Sequence, residues 1–270
     1  MSADPRLHLD DVHVSFPTAG GELSVLDGVS LTVQPGEFVS IIGPSGSGKS
    51  TLLHVVGGLV RPGSGSVRLD DQDVTGSRGH ISHMPQQPAL LPWRSVLENV
   101  LLAQEVARTR TPASVEEARD WLDRLGLGSF ADAYPHTLSG GMQQRVAFLR
   151  ALLSPRRFMC LDEPFSALDA LTRADMQHWL LRLWEETRRS VLFVTHNIEE
   201  ALLLSDSVYV LSHRPTRILQ KVDVPWPRPR AEDVVDHPDF IRLRRELAAL
   251  LRPTDAVHPA LPAHATSELS

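Results

Sequence analysis

One octapeptide carries phosphate chemistry in its residue types. Gly43-Pro44-Ser45-Gly46-Ser47-Gly48-Lys49-Ser50, followed by Thr51, fits the pattern G-x-x-x-x-G-K-[ST]. Its glycines let the backbone curl, so that successive N–H groups face one anionic centre. A helix leaving the loop adds its positive end to the same point. Lys49 reaches the outer phosphates of a nucleotide as a compact ammonium, and Ser50 offers a hydroxyl to magnesium. The basic composition points to the same place. Of 27 Lys and Arg residues, the only lysines are Lys49 and Lys221. A planar guanidinium does not replace an ammonium on a flexible stem in such a loop. Lys221 follows an expected strand, carries no motif and is expected in solvent.

A second segment supplies carboxylates. Phe158-Met159-Cys160-Leu161 is apolar, and Asp162-Glu163 follows at once. Acids at the end of a buried strand are costly unless ligated or hydrogen-bonded. Asp162 is expected to hold the magnesium. Glu163 is expected to orient and deprotonate the attacking water. Side-chain alternation along the strand is expected to send the two carboxylates to different tasks.

A third segment, Leu138-Ser139-Gly140-Gly141-Met142-Gln143-Gln144-Arg145, opens a helix. An N-cap accounts for Ser139, but not for the glycine pair with Gln-Gln-Arg. Here the chain resembles the ABC-type ATPases, whose signature is LSGGQ. The resemblance runs from about residue 7 to residue 220. It implies that Phe16 stacks on adenine, that Gln86 senses magnesium and γ-phosphate, and that Ser166-Ala167-Leu168-Asp169 is the D-loop. It also implies that His196, in Thr195-His196-Asn197, is the switch histidine. By sequence alone Gln87 competes with Gln86 for its role. The resemblance further implies ATP and Mg2+ as ligands, and a head-to-tail homodimer. In that dimer each ATP lies between one phosphate loop and the other copy's Ser139, Gly140 and Gly141.

These residues need elements to hold them. The stretch 7–74 reads as short strands, with Val12, Val14 and Phe16 alternating against polar neighbours. Residues 38–42 form a nearly continuous apolar strand pattern, and a helix is expected at 49–59. From about 88 to 153 helical periodicity takes over, at 96–107, 114–125 and 142–153. Strands return at 158–161, 191–195 and 208–211, around a helix at 171–188 whose tryptophans are expected in the core. The fold class is therefore α/β. With the resemblance it is a P-loop core of ABC type, with an N-terminal antiparallel β-subdomain and an inserted helical subdomain. Residues 1–252 form one domain in this reading. The prolines of Pro225-Trp226-Pro227-Arg228-Pro229-Arg230 suggest a stiff linker, before a C-terminal helix at about 231–252. The Pro-, Ala- and Ser-rich stretch 253–270 suggests a disordered tail.

Composition limits the remaining classes. The chain has 270 residues, 42% hydrophobic and 22% charged, which suffices for a full core. A formal net charge of -6 argues against a broadly basic nucleic-acid binder. The single cysteine, Cys160, excludes an internal disulfide and is expected to be buried and inert. No apolar run approaches the roughly 18 residues a spanning helix needs, and residues 1–10 do not read as a signal peptide. A soluble, cytoplasmic protein is expected, reaching a membrane only through a partner. The apolar loop 88–95, with Trp93 as an anchor, suits a partner helix. An alternative is that Leu90, Leu91 and Trp93 fill the helical subdomain's own core. The stretch 88–100 and residues 211–215 and 239–251 are similar to importers of the nitrate, sulfonate and taurine group, which includes carriers of thiamine-pyrimidine precursors. That resemblance implies a membrane permease docking near residues 86–100, and an extracytoplasmic binding protein that acts indirectly. An exporter motor and a non-transport ABC ATPase are the competing readings.

Overall fold

The structure, a computed structural model, describes residues 6–166, 168–230 and 232–252. Its strands and helices, in chain order, are β1 (Leu7–Thr18), β2 (Gly21–Val33), β3 (Phe38–Ile42), α1 (Lys49–Val56), β4 (Ser64–Leu69), β5 (Gln72–Asp73), β6 (Ser82–Met84), α2 (Val96–Val106), α3 (Pro112–Arg124), α4 (Gly140–Leu152), β7 (Phe158–Asp162), α5 (Ala170–Thr187), β8 (Ser190–Val194), α6 (Ile198–Leu204), β9 (Ser207–Leu211), β10 (Ile218–Asp223) and α7 (Pro238–Leu250). They build two sheets. One is antiparallel, in the order β2-β1-β4-β5. The other runs β10-β9-β3-β8-β7-β6 and is parallel except for β10 at its edge.

The parallel strands are apolar on both faces because both faces are covered. Every residue of β3, β7 and β8 is buried. Alternation divides most of their side chains between two cores, while Ile42 joins a third with α6, β9 and α7. Val39, Ile41, Phe158, Cys160, Leu192 and Val194 meet the antiparallel sheet and α1. Phe38, Met159, Leu161, Val191 and Phe193 meet helices α2 to α5. Cys160 is fully buried, and burial pushes its thiol well up from the usual range. Trp184 belongs to the helical core, as the helical spacing of residues 176–184 predicts.

The first two strands are long rather than short, at 12 and 13 residues. Register shifts between Leu9 and Ser15 keep them paired through a bend, where Asp11 takes a left-handed φ of 46°. Lys221 lies inside β10 and not after a strand. Its ammonium sits 5.6 Å from the Tyr209 ring and 3.9 Å from Glu37, and the side chain is 41% exposed. The C-terminal helix is also shorter than the sequence suggests. A 3-10 segment, Glu232–Asp236, comes first, and Pro238 then starts α7 behind an N-cap from His237. The stretch 253–270 lies outside the described residues.

The proline-rich stretch is not a free linker. Trp226 packs on Phe240 with ring centroids 5.2 Å apart. Arg228 lies 4.2 Å over the Trp184 ring and donates from Nε to Asp206 at 2.7 Å. It also donates to the Leu204 carbonyl, while Arg230 donates to the carbonyls of Leu202 and Leu203. These are the last carbonyls of α6, which its own backbone leaves unsatisfied. Two cations therefore close the negative end of that helix, and burial lowers the Arg230 pKa to about 10. Arg228→Ala strips the stacking and leaves Asp206 with its bond from the Phe38 N–H. The expected loss is about 2–4 kcal/mol. That corresponds to a fall in Tm of roughly 5–10 °C in a domain of this size, measurable by thermal unfolding.

Candidate active site

Three strand ends are level at one edge of the parallel sheet. In the ladder, Ile41 of β3 and Asp162 of β7 both pair with Val194 of β8. The chain leaves β3 into the phosphate loop, β7 into Glu163, and β8 into Thr195 and His196. A parallel α/β sheet presents its ligand site at these carboxyl ends.

The loop curls as its spacing requires. Gly48 caps α1 with a φ of 90° and no side-chain bond, so the first N–H groups of the helix stay open. A Cβ at Gly48 would fall 2.8 Å from the Val25 side chain of β2. Only glycine lets that strand close on the loop. Lys49 folds back over the loop, and its Nζ donates to the carbonyls of Gly43 at 2.9 Å and Pro44 at 2.8 Å. Burial lowers the Lys49 pKa, while Glu163 and Asp162 oppose that shift.

The two carboxylates separate by a route other than strand alternation. Asp162 ends β7, whereas Glu163 is already off the strand, at a left-handed φ of 46°. Its N–H donates to the Val194 carbonyl, which fixes the reversal. A side chain in that conformation is strained, and the surrounding structure must hold it. The turn aims Glu163 into the cavity. Gln86 donates from Nε2 to Glu163 Oε2 at 3.0 Å, and His196 Nδ1 stands 3.3 Å from the same oxygen. Gln86, and not Gln87, makes this contact.

Asp162 is buried. Burial raises its carboxyl above the usual range, against a hydrogen bond from Ser50. Its Oδ1 has no partner within the protein. An orphaned carboxylate oxygen beside a hydroxyl fits a hard divalent cation whose other ligands are phosphate oxygens and water. Ser50 and Asp162 therefore suit magnesium.

The resulting cavity, of about 450 Å³, is lined by Ser45, Gly46, Ser47, Gly48, Lys49, Ser50, Thr51, Gln86, Glu163, His196 and Arg214. Residues from five distant stretches of sequence thus meet. The other sequence-predicted residues stand outside it. Phe16 is at the exposed end of β1, opposite Leu23 of the same hairpin that touches Gly48. Ser139 caps α4 by accepting from the Met142 N–H at 3.3 Å, and Ser139 and Gly140 are exposed. Asp169 caps α5, accepting from Thr172 N and Oγ1, and these bonds hold its carboxyl below the usual range.

Two contributors carry no sequence motif. Arg214 comes from the turn between β9 and β10, and one of its terminal nitrogens lies 3.8 Å from where a Gly46 Cβ would be. Thr216 donates its hydroxyl to the Ser47 carbonyl, bracing the loop from behind. Both reach the loop because β9 lies beside β3, an adjacency that local sequence does not encode.

Comparison with known proteins agrees with this geometry. A family model described as "ABC transporter" matches residues 26–166. The chain is 39% identical over 247 residues to an uncharacterized ABC transporter ATP-binding protein, MJ0412, of Methanocaldococcus jannaschii, covering 92% of this chain and 91% of that protein. It is 43% identical over 246 residues to the nitrate import ATP-binding protein NrtD of Synechococcus elongatus, covering 89% of each. Its fold is similar to the dimeric ABC transporter cassette MJ0796, with a TM-score of 0.72, 33% identity, and coverage of 82% of this chain and 100% of that one. MJ0796 is also known as a dimer in a post-hydrolysis state with ADP and Pi.

The two cations of the cavity differ in burial, and so in what their loss should do. Lys49→Arg keeps the charge but cannot follow the fold of the loop. It is expected to lower kcat for ATP hydrolysis by roughly 100-fold or more. Arg214→Ala removes an exposed cation at the rim. It is expected to raise KM for ATP by about 3- to 10-fold and to change kcat far less. Steady-state kinetics on both variants checks the contrast.

Proposed function

This chain belongs to the ABC transporter family, and we propose that it is the ATP-hydrolysing subunit of an importer that takes up a small solute of the nitrate, sulfonate or taurine, or pyrimidine kind. It is an ATPase of the ABC type. The observation that carries the catalytic reading is the Glu163 carboxylate, held by Gln86 and His196 across the cavity from Lys49.

In this reading Lys49 and the open N–H groups of the loop bind the phosphates of ATP. Ser50 and Asp162 hold magnesium, with Gln86 reaching toward it. The ion, when bound, offsets charge on the phosphates. Glu163 accepts the proton of the attacking water. His196 keeps that carboxylate aimed and meets the γ-phosphate. Phe16 stacks on the adenine. Ser139, Gly140, Gly141 and Asp169 lie outside the lining of their own cavity and complete the site of a second copy. The exposed N-terminus of α4 then supplies N–H donors and a helix dipole to the partner's γ-phosphate. The known dimer of the related cassette supports this arrangement.

The permease docks on the loop at residues 88–95, which the protein holds firmly. Asn99 is fully buried; its Oδ1 accepts from the Leu91 N–H, and its Nδ2 donates to the carbonyls of Leu91, Arg94 and Ser95. Arg150 donates to the carbonyls of Pro88 and Ala89. Leu90 packs inward against the helical core, while Trp93 is 71% exposed. A rigid loop that presents one bare tryptophan suits a partner helix. Among the described residues no helix is long and apolar enough to cross a membrane. The reading therefore places the subunit on the cytoplasmic face through its permease.

Glu163→Gln is expected to lower ATP turnover by about 100-fold or more and to give dimers that ATP stabilises, seen by light scattering; hydrolysis near the wild-type rate would remove Glu163 as the base. Trp93→Ala is expected to cut recovery of the permease complex about tenfold, and unaltered co-purification would overturn the docking assignment. The transport reading is tested by purification from the native membrane, followed by ATPase assay of the reconstituted assembly with nitrate, sulfonates and pyrimidines, each with its binding protein. Stimulation by one of these solutes is expected. A complex with ribosomes or DNA and no membrane subunit would favour a non-transport ATPase instead.

A further inference from the structure

We propose that Glu200 and Arg173 form a bridge that ties the segment carrying His196 to the segment carrying Asp169, which makes both of them positioning residues for ATP hydrolysis. The inference rests on the roles assigned to His196 and Asp169 above.

The bridge is built from five contacts. Thr195, directly before His196, is buried, and its Oγ1 donates to Glu200 Oε2 at 2.7 Å. The same hydroxyl accepts from the Asn197 N–H at 3.0 Å, so it grips the chain on both sides of the histidine. The Thr195 N–H donates to the Ile41 carbonyl of β3, which fixes the other end of the grip to the strand feeding the phosphate loop. On the far side, Arg173 in the first turn of α5 donates from Nη2 to the Leu168 carbonyl at 2.9 Å, one residue before Asp169. Between the two halves, Arg173 Nε lies 3.9 Å from Glu200 Oε1.

That last gap is informative. Arg173 Nε is buried and has no hydrogen-bond partner. A charged N–H···O bond closes at about 2.8 Å, so a movement of roughly 1 Å converts a loose ion pair into a direct bond. Oε2 of Glu200 accepts from Thr195 and Oε1 faces Arg173, and Gln177 of α5 also bonds the carboxylate. Pulling on Thr195 or Arg173 is therefore felt by the other. A small cavity of about 220 Å³ lies against the bridge, lined in part by Ala170, Ala174 and Asn197, and leaves room for that movement.

Packing does not require the pair. Glu200 is among the few buried acids of the chain, and burial raises its carboxyl above the usual range, against Thr195 and Arg173. A buried ion pair is commonly no more stabilising than apolar residues of the same volume. Its value lies in orientation: it fixes two loops to each other at defined atoms. Asp169 stands on the exposed side, where a second copy would arrive, and His196 stands inside the cavity on Glu163. The bridge gives the arrival of a partner a direct path to the His196 ring that stands against Glu163.

The test uses the full chain and steady-state ATP hydrolysis. Glu200→Gln keeps the volume and an acceptor for Thr195 but removes the charge facing Arg173. Arg173→Gln removes the guanidinium, and Arg173→Lys serves if Arg173→Gln fails to fold. Each single change is expected to lower kcat about tenfold, with KM for ATP within twofold and Tm within a few degrees of wild type. The double variant is expected to be no slower than the worse single one, because both act through one link. Unchanged kcat in either single variant, losses that multiply in the double, or a loss confined to KM or to Tm would overturn the bridge. His196→Ala in the same assay separates the two levels. If it hydrolyses ATP at the wild-type rate, the assigned role of His196 fails. If it is slow while the bridge variants are not, the bridge alone fails.

Discussion

The site depends on one register. Val194 in the middle strand pairs with Ile41 on one side and Asp162 on the other. That level line brings the glycine-rich loop, the Asp162 carboxylate and the His196 ring to one edge. A slip of one residue in β7 would turn Asp162 from the cavity side to the opposite face. Two separate apolar cores, one on each face of the parallel sheet, make such a slip expensive. The hydrophobic division of the strands therefore specifies the geometry of a polar site.

Around this line, glycine and strain are used where the backbone must bend against its preference. Gly48 opens the end of α1 and admits β2. Glu163 has no such freedom and is held in its left-handed turn by the Val194 carbonyl. Glu163 is thus tied to the strand that leads into His196. Thr195 and Glu200 extend the connection into α6, and Arg228 and Arg230 close the far end of that helix. A continuous set of hydrogen bonds runs from the catalytic edge to the C-terminal segment.

Much of this was legible in the sequence, and the exceptions share a cause. The strand-loop-helix around Lys49, the apolar strand before Asp162 and the three helices between β6 and β7 follow from local pattern, and local pattern is what these elements use. Gln86 could not be told from Gln87 until the fold placed Glu163 within reach of one of them. Arg214 and Thr216 carry no motif, because their use comes from β9 lying beside β3. The stretch 225–230 reads as a linker because its prolines are local, whereas the carbonyls its arginines satisfy belong to α6. Side-chain alternation predicts that Asp162 and Glu163 part, but a left-handed residue at Glu163 separates them instead. Phe16, Ser139 and Asp169 are exposed and lie outside the chain's own cavity, so no contact within one chain reveals their use.

The segment from Gln86 to Trp93 has a mechanical consequence. At one end Gln86 holds the carboxylate of Glu163. At the other, Asn99 and Arg150 clamp the backbone so that residues 88–95 have little compliance of their own. A soft tether would absorb a displacement over its length, but a stiff one passes it on. The exposed indole and the Glu163 carboxylate are thus joined by a short segment whose backbone is pinned along its length. In the proposed complex, a load on Trp93 and the aim of the Glu163 carboxylate become two readings of one lever.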